Sequence, residues 1–361
     1  MSFLLVFLAA FFVLLSGIGI LNKLYFDARE KLNLRDKNGL KLTLDELIAG
    51  TDREFREGLM QFSREALNKG KNYLAMVDDY LLENLERPGA VNRTRLFAVA
   101  AHLDFPSECL AQIRSRNSGL SALGSRRAGL YNIAEAVEGM EAALDFFSSG
   151  NQFEILMALA RMGGADAMQK AFEKIKTSVL INERGVIEIL SSFPEGEEKM
   201  ELFRRMIHND TNYIAALFLK AVNGKIAKVL LDDIVQVFQK GNKEIRAAAV
   251  RGLAVLNKEA PAKILLQALE DKDWEVRALA AKALGPIILP EADIALYKAL
   301  SDQQWWVRQN AANAMIGHPG YESLFILAAE SGDEYARDSI LSVLENGSSP
   351  ILLRSIKIMV A

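Results

Sequence analysis

Asp271–Gly285 reads DKDWEVRALAAKALG, and Asp302–Gly317 reads DQQWWVRQNAANAMIG. Laid over one another at an offset of 31 residues, they place Trp274 on Trp305, Val276 on Val307, Arg277 on Arg308 and Ala281 on Ala312. Self-similarity at a fixed period of this size marks a chain assembled from repeated supersecondary units. Stepping back by the same interval from Arg277 reaches Arg246 in NKEIRAAAVRGLAVL, then Ala215 in TNYIAALFLKAV, then Arg184 in NERGVIEIL. Forward, the counterpart is Arg337 in GDEYARDSILSVL, two residues short of register, and weaker copies centre on Glu154, Arg126 and Arg95. About nine units fit between Pro88 and the C-terminus, each long enough for a helix, a turn and a second helix.

A second column supports the first. Eight residues before the anchor stand Phe146, Ile207, Phe238, Leu269, Leu300 and Ala329, positions expected to close the second helix of the preceding unit. Prolines fall between the predicted helices or in a first turn, as at Pro106, Pro261 and Pro290, where a missing N–H costs little. Small residues at Ala248, Ala281 and Ala312 are expected to let neighbouring helices approach. One such helix pair cannot bury its apolar face alone, so the pairs are expected to stack into an all-α solenoid.

The pattern D-x-x-x-x-V-R-x-x-A-A-x-A-L resembles HEAT repeats, in particular the short variety associated with phycobilisome-lyase proteins. That resemblance implies a polar ladder between adjacent units, formed here by Asp271, Arg277, Asp302 and Arg308. Lys240 and Ser331 stand in place of the aspartate in neighbouring units, so the ladder is expected to be incomplete there. The resemblance also implies a curved surface on which a partner protein lies.

Ahead of the repeats, Phe3–Leu21 is nineteen residues without a charge, FLLVFLAAFFVLLSGIGIL. At about 1.5 Å per residue a helix of this length matches the hydrocarbon core of a bilayer. A cleavable secretory signal, with secretion of the remainder, is the competing reading. It fits less well, because no basic side chain precedes the run and Gly17-Ile18-Gly19 is followed by further apolar residues. Lys23, Arg29, Lys31, Arg35, Lys37 and Lys41 follow the span, which places the N-terminus outside and the bulk of the chain in the cytoplasm. The expected division is an anchor over 1–22, a basic juxtamembrane segment over 23–42, a helical hairpin capping the array over 43–87, and the repeats over 88–361. Within the hairpin, Thr43 with Glu46 and Thr51 with Glu54 have the spacing of capping boxes, and Phe55, Leu59, Phe62 and Ala66 recur at helical intervals.

Composition narrows the function. With 43 basic against 46 acidic side chains the chain lacks the excess of positive charge that nucleic-acid binding demands. The single cysteine, Cys109, excludes an intrachain disulfide and a cysteine-based metal cluster. His102, His208 and His318 lie near different repeats, which disfavours a shared metal site. No phosphate-cradling glycine loop, G-x-S-x-G elbow or H-E-x-x-H helix is present, so no catalytic, cofactor-binding or metal residue is assigned. Trp274 and Trp305 are expected to fill the seam between units as equivalent residues, whereas Trp306 occupies the position that Glu275 holds one repeat earlier. Exposed tryptophans anchor protein interfaces, which makes Trp306, and then Trp305 and Trp274, the candidate partner contacts. The reading is a membrane-anchored, cytoplasmic, non-catalytic scaffold or adaptor without a cofactor, serving a membrane enzyme or transport assembly. The rivals are a lyase-like enzyme subunit acting on a partner protein and a HEAT-type nucleic-acid binder.

Overall fold

The computed structural model describes residues 36–87, 92–146, 149–175 and 183–360. The expected anchor over 1–22 and most of the basic flank lie outside these residues. Among the described residues no helix is long and apolar enough to cross a membrane. All regular structure among them is helical, and the chain forms two compact units, one up to Ala136 and one from Val137.

The first unit contains helical residues 36–49 (α1), followed by Asp52–Lys69 (α2), Lys71–Glu86 (α3), Arg93–His102 (α4), Phe105–Ile113 (α5) and Ser118–Tyr131 (α6). Thr51 caps α2 as its spacing with Glu54 predicts: the Glu54 N–H donates to the threonine hydroxyl, and the Thr51 N–H donates to the Glu54 carboxylate at 2.8 Å. The Thr43–Glu46 box does not form. Helix α1 runs through it, and the Thr43 hydroxyl donates instead to the Gly39 carbonyl one turn back, at 3.0 Å. A threonine inside a helix has this local acceptor available, so the same spacing is not an end signal there. Phe55, Leu59, Phe62 and Ala66 of α2 are buried with Val77, Leu81 and Leu85 of α3, forming a hairpin that packs on α4 and, through α3, on α6.

Helices α5 and α6 make the closest approach in this unit. A Cβ on Gly124 would lie 2.7 Å from the Gln112 Cβ and 2.9 Å from the Cys109 carbonyl oxygen. Beside this contact Arg127, only 4% exposed, sits among Asp78 of α3 and Glu108 and Gln112 of α5 at 3.0–3.1 Å, and the Tyr131 hydroxyl donates to Asp78. Burial pushes the Asp78 carboxyl above the usual carboxylate range, against the opposing pull of Tyr131 and Arg127.

The second unit runs Val137–Ala143 (α7), Ser149–Met162 (α8), Ala165–Lys174 (α9), Glu183–Ser192 (α10), Glu197–Ile207 (α11), Asn212–Lys220 (α12), Gly224–Val229 (α13), Leu231–Lys240 (α14), Lys243–Ala254 (α15) and Ala262–Leu269 (α16). It continues with Trp274–Leu284 (α17), Pro290–Ala299 (α18), Trp305–Met315 (α19), Tyr321–Glu330 (α20), Glu334–Val343 (α21) and Pro350–Val360 (α22). First helices pack on first helices in the series α12, α15, α17, α19, α21, and each second helix also rests on the first helix of the next pair, as α16 does on α17. The core therefore propagates between neighbouring pairs, which is the physical definition of a solenoid. Ala248, Ala281 and Ala312 are at most 1% exposed in the first-helix seams. In the second column Ile207, Phe238, Leu269, Leu300 and Ala329 are all buried. Phe146 is the exception at 80% exposed, because it lies in the turn beyond α7 rather than within a helix.

Replacing Gly124 by alanine raises intrinsic helix propensity by up to about 1 kcal/mol. The added methyl, however, enters backbone contacts too short for it, an overpacking cost of roughly 1–3 kcal/mol. Gly124→Ala is therefore expected to lower unfolding stability in denaturant titrations, and a gain would show that α5 and α6 separate without penalty.

Candidate functional site

The repeat motif acquires its meaning at the loops that open α17 and α19. The Asp271 carboxylate accepts from the Asp273 N–H at 2.9 Å and the Asp302 carboxylate from the Gln304 N–H at 2.8 Å, turning the chain into each first helix. Each carboxylate also takes a two-toothed hydrogen bond from an arginine of the preceding repeat. Arg246 donates to both oxygens of Asp271 at 2.6 and 2.8 Å, and Arg277 to both of Asp302 at 2.7 and 2.9 Å. The remaining guanidinium edge turns back to its own loop, with Arg277 on the Asp271 carbonyl at 2.8 Å and Arg246 on the Gly241 carbonyl at 3.0 Å. One side chain thereby fixes the start of its own helix and the start of the next. Burial alone would raise the Asp271 and Asp302 carboxyls, but the arginine hydrogen bonds and charge, with the backbone N–H, outweigh it and hold both below the usual range.

Arg308 closes the series differently. Its guanidinium donates to the carbonyls of Asp302 at 2.8 Å and Gln303 at 3.1 Å, but among the described residues no carboxylate pairs with it. It lies instead near the Ser339 hydroxyl at 3.4 Å and over the Tyr335 ring at 5.0 Å. Asp333, one period beyond Asp302, is occupied as the cap of α21, accepting from the N–H groups of Tyr335 and Ala336. Arg246, Asp273, Ser339 and Tyr335 thus take part in the seams alongside Asp271, Arg277, Asp302 and Arg308. The 31-residue period reaches Arg246 one step before Arg277 and Ser339 one step beyond Arg308, whereas nothing in it points to Tyr335.

The three tryptophans occupy unequal environments. Trp274 is half-buried, while Trp305 and Trp306 are 47% and 56% exposed. Trp305 does not stack on Trp274. Its ring packs edge-on against Trp306 at a centroid distance of 4.6 Å and an angle of 75°. Consecutive helical residues point about 100° apart, so two adjacent rings reach each other only outside the seam, at the exposed first turn of α19. The pair forms a projecting aromatic feature at the point where the preceding repeat carries Glu275, bound to Lys243 at 2.9 Å.

Two clefts lie along the first helices. One, of about 420 Å³, is lined by Tyr213, Leu217 and Lys220 of α12, Glu244 and Arg251 of α15, and Leu279 of α17. The other, of about 570 Å³, runs beside Lys282, Gly285, Asn310, Asn313 and Gly317. Both are open grooves between packed helices. The histidines are dispersed: His102 Nδ1 contacts the Ala98 carbonyl, His208 faces Asp233 at 3.1 Å, and buried His318 joins Asp293 of α18 to the Gly285 carbonyl. Cys109 is fully buried, and burial pushes its thiol up to about 12, far from the thiolate a nucleophile requires.

Residues 231–316, from α14 through α19, match the family described as HEAT repeats. The segment contains every arginine–aspartate clasp described above together with Trp274, Trp305 and Trp306. The crystal structure of an engineered protein from the Northeast Structural Genomics Consortium is similar over 88% of this chain and 96% of its own, at 16% identity and a TM-score of 0.35. No curated protein matches the chain in sequence.

Removing one partner of a largely buried, two-toothed ion pair leaves the other desolvated and unpaired. Arg277→Ala is expected to cost roughly 2–4 kcal/mol in denaturant unfolding. A double-mutant cycle with Asp302→Asn should return a coupling on the order of 1–3 kcal/mol, and additive losses would deny the clasp. Because both carboxyls are depressed in the fold, their contribution is complete above the ordinary aspartate value of about 4 and disappears as pH falls through the lower folded value. The wild type should therefore lose more stability than the Arg277→Ala/Asp302→Asn variant when unfolding is followed through that acid range.

Proposed function

We propose that this chain is a non-catalytic scaffold or adaptor whose HEAT repeats hold a partner protein, and that Phe3–Leu21 anchors it in a membrane with the repeats in the cytoplasm. The observation that carries the reading is the Trp305–Trp306 pair, two large aromatic surfaces that remain about half exposed on a helix whose other apolar residues are buried. Aromatic side chains of this kind supply much of the binding energy at protein interfaces, since they bury a large area with few rotatable bonds. A stacked series of helices presents such a feature rigidly, which suits docking to another protein. The nineteen-residue apolar run and the lysines and arginines after it support the anchor and its orientation. Docking onto a membrane enzyme or transport assembly follows from that location.

Crosslinking in intact membranes, detergent solubilisation and recovery of the full-length chain test the reading. Trp306→Ala is expected to weaken capture of the crosslinked partner by more than about tenfold, the scale of an interface anchor, while thermal unfolding moves little. Undiminished capture by a Trp305→Ala/Trp306→Ala variant would overturn the assignment of this surface. A reporter fused to the C-terminus should give a cytoplasmic signal, and an external signal would overturn the topology.

A further inference from the structure

Helices α12, α15, α17 and α19 carry two rows that the arginine–aspartate motif does not explain. At intervals of 31 residues, Lys220, Arg251 and Lys282 occupy one position near the C-terminal end of α12, α15 and α17. Seven residues earlier, the same helices carry Tyr213, Glu244 and Glu275, with Trp306 continuing that row on α19. Seven residues are two helical turns, so the cationic and acidic rows run side by side about 10 Å apart. The strip between them is low and apolar, formed by half-buried Ala247 and Leu279 over the buried Leu217, Ala248 and Ala278. Since α12, α15 and α17 pack directly on one another, successive cations stand roughly 8–10 Å apart.

The cations differ in how they are employed. Lys220 is bound to Glu183 at 3.2 Å. Arg251 and Lys282 are exposed, and among the described residues neither makes a hydrogen bond or an ion pair. Arg251 lines the first cleft and Lys282 the second. On the opposite row Glu275 is held by Lys243, and Glu244 has no such partner among the described residues. A ligand crossing these helices therefore meets two unpaired cations, Arg251 and Lys282, along one edge and the carboxylate of Glu244 beside the Lys243–Glu275 pair along the other.

Resting on the scaffold reading above, we infer that the partner segment received here is an extended acidic peptide, lying across α12, α15 and α17 with one edge of carboxylates against Arg251 and Lys282. A peptide in the extended polyproline II conformation advances about 3.1 Å per residue with three residues per turn, so carboxylates at every third position share one edge at roughly the separation of successive helices. The glutamate row disfavours a ligand that is negative on both edges, which separates a one-sided acidic peptide from a nucleic-acid duplex. Small residues in the strip let a backbone come close, and Leu217 and Leu279 give intervening side chains an apolar contact.

The full-length chain in detergent micelles can be titrated with a fluorescent peptide of about twelve residues, long enough to cross three helices. Glutamate is placed at every third position and alanine or serine between. Binding measured by anisotropy is expected to weaken about tenfold or more in Arg251→Glu/Lys282→Glu, because two attractions become repulsions. It should tighten in Glu244→Lys and weaken as salt is raised. Both substituted cations are exposed and unpaired, so the thermal unfolding of the double variant should match the wild type. Equal binding to the wild type and Arg251→Glu/Lys282→Glu would overturn the inference. So would equal affinity for a peptide with lysine in place of glutamate, or preferential binding of a DNA duplex. Trp306→Ala separates the two claims. Retained peptide binding with unaltered partner capture sinks the tryptophan surface alone, whereas absent peptide binding with tryptophan-dependent capture sinks the acidic-peptide assignment alone.

Discussion

The arginine that reaches both backward and forward is the constraint on which the repeat architecture depends. Arg277 closes its own loop through the Asp271 carbonyl and grips the next loop through the Asp302 carboxylate. Arg246 does the same one unit earlier. A guanidinium has five N–H donors in a planar fork, enough to serve both loops at once, and an ammonium could not reproduce that geometry. The aspartate is equally committed, since it must take the fork and cap a turn together. This double use explains why Asp and Arg recur with a fixed six-residue separation, while Lys272, Asp273 and Glu275 between them give way to Gln303, Gln304 and Trp306. It also sets adjacent first helices in register, so that positions 31 apart form straight rows across the surface.

Those rows divide the work of the molecule. Residues facing the seams, such as Val276, Ala280 and Ala281, are small or branched and wholly buried, and they leave little room for variation. Residues on the outward row are free of that demand. The same position holds Tyr213, Glu244, Glu275 and Trp306 in successive units. The seam determines how the helices pack, and the outward row determines what they meet. Trp305 and Trp306 belong to the second category, because their rings contact each other rather than Trp274 across the seam.

The fold was legible where one residue serves one geometric purpose. The 31-residue recurrence locates α17 and α19, and the apolar spacing of Phe55, Leu59, Phe62 and Ala66 locates the buried face of α2. Legibility failed where a local pattern had two structural solutions. Thr43 and Glu46 have the spacing of a capping box, yet the threonine hydroxyl is satisfied inside a continuous helix. Phe146 has the right distance to its anchor, yet the helix stops before it. In the candidate site, the substitution of Trp306 for a charged residue is visible in the repeat alignment. The edge-on pairing with Trp305 is not, because side-by-side residues on a helix normally diverge. Around Arg308 the period does point to Ser339, 31 residues on, but not to the ring of Tyr335, whose counterpart one unit earlier is Gln304.

The change of partner at Arg308 has a mechanical consequence. In a stack whose members bind only their neighbours, rupture proceeds one joint at a time rather than throughout. The joint between α19 and α21 carries the contacts of Arg308 with the Ser339 hydroxyl and the Tyr335 ring and a hydrogen bond between the Ser301 and Asp333 side chains, whereas the joint between α17 and α19 carries a two-toothed ion pair. Tension applied at the C-terminus would peel α21 and α22 away first and then meet a stiffer element at Asp302. The Trp305–Trp306 pair begins three residues beyond that stop, on the last helix that the clasp holds. A load borne by these rings would pass into the clasped helices α15, α17 and α19 while α21 and α22 yield.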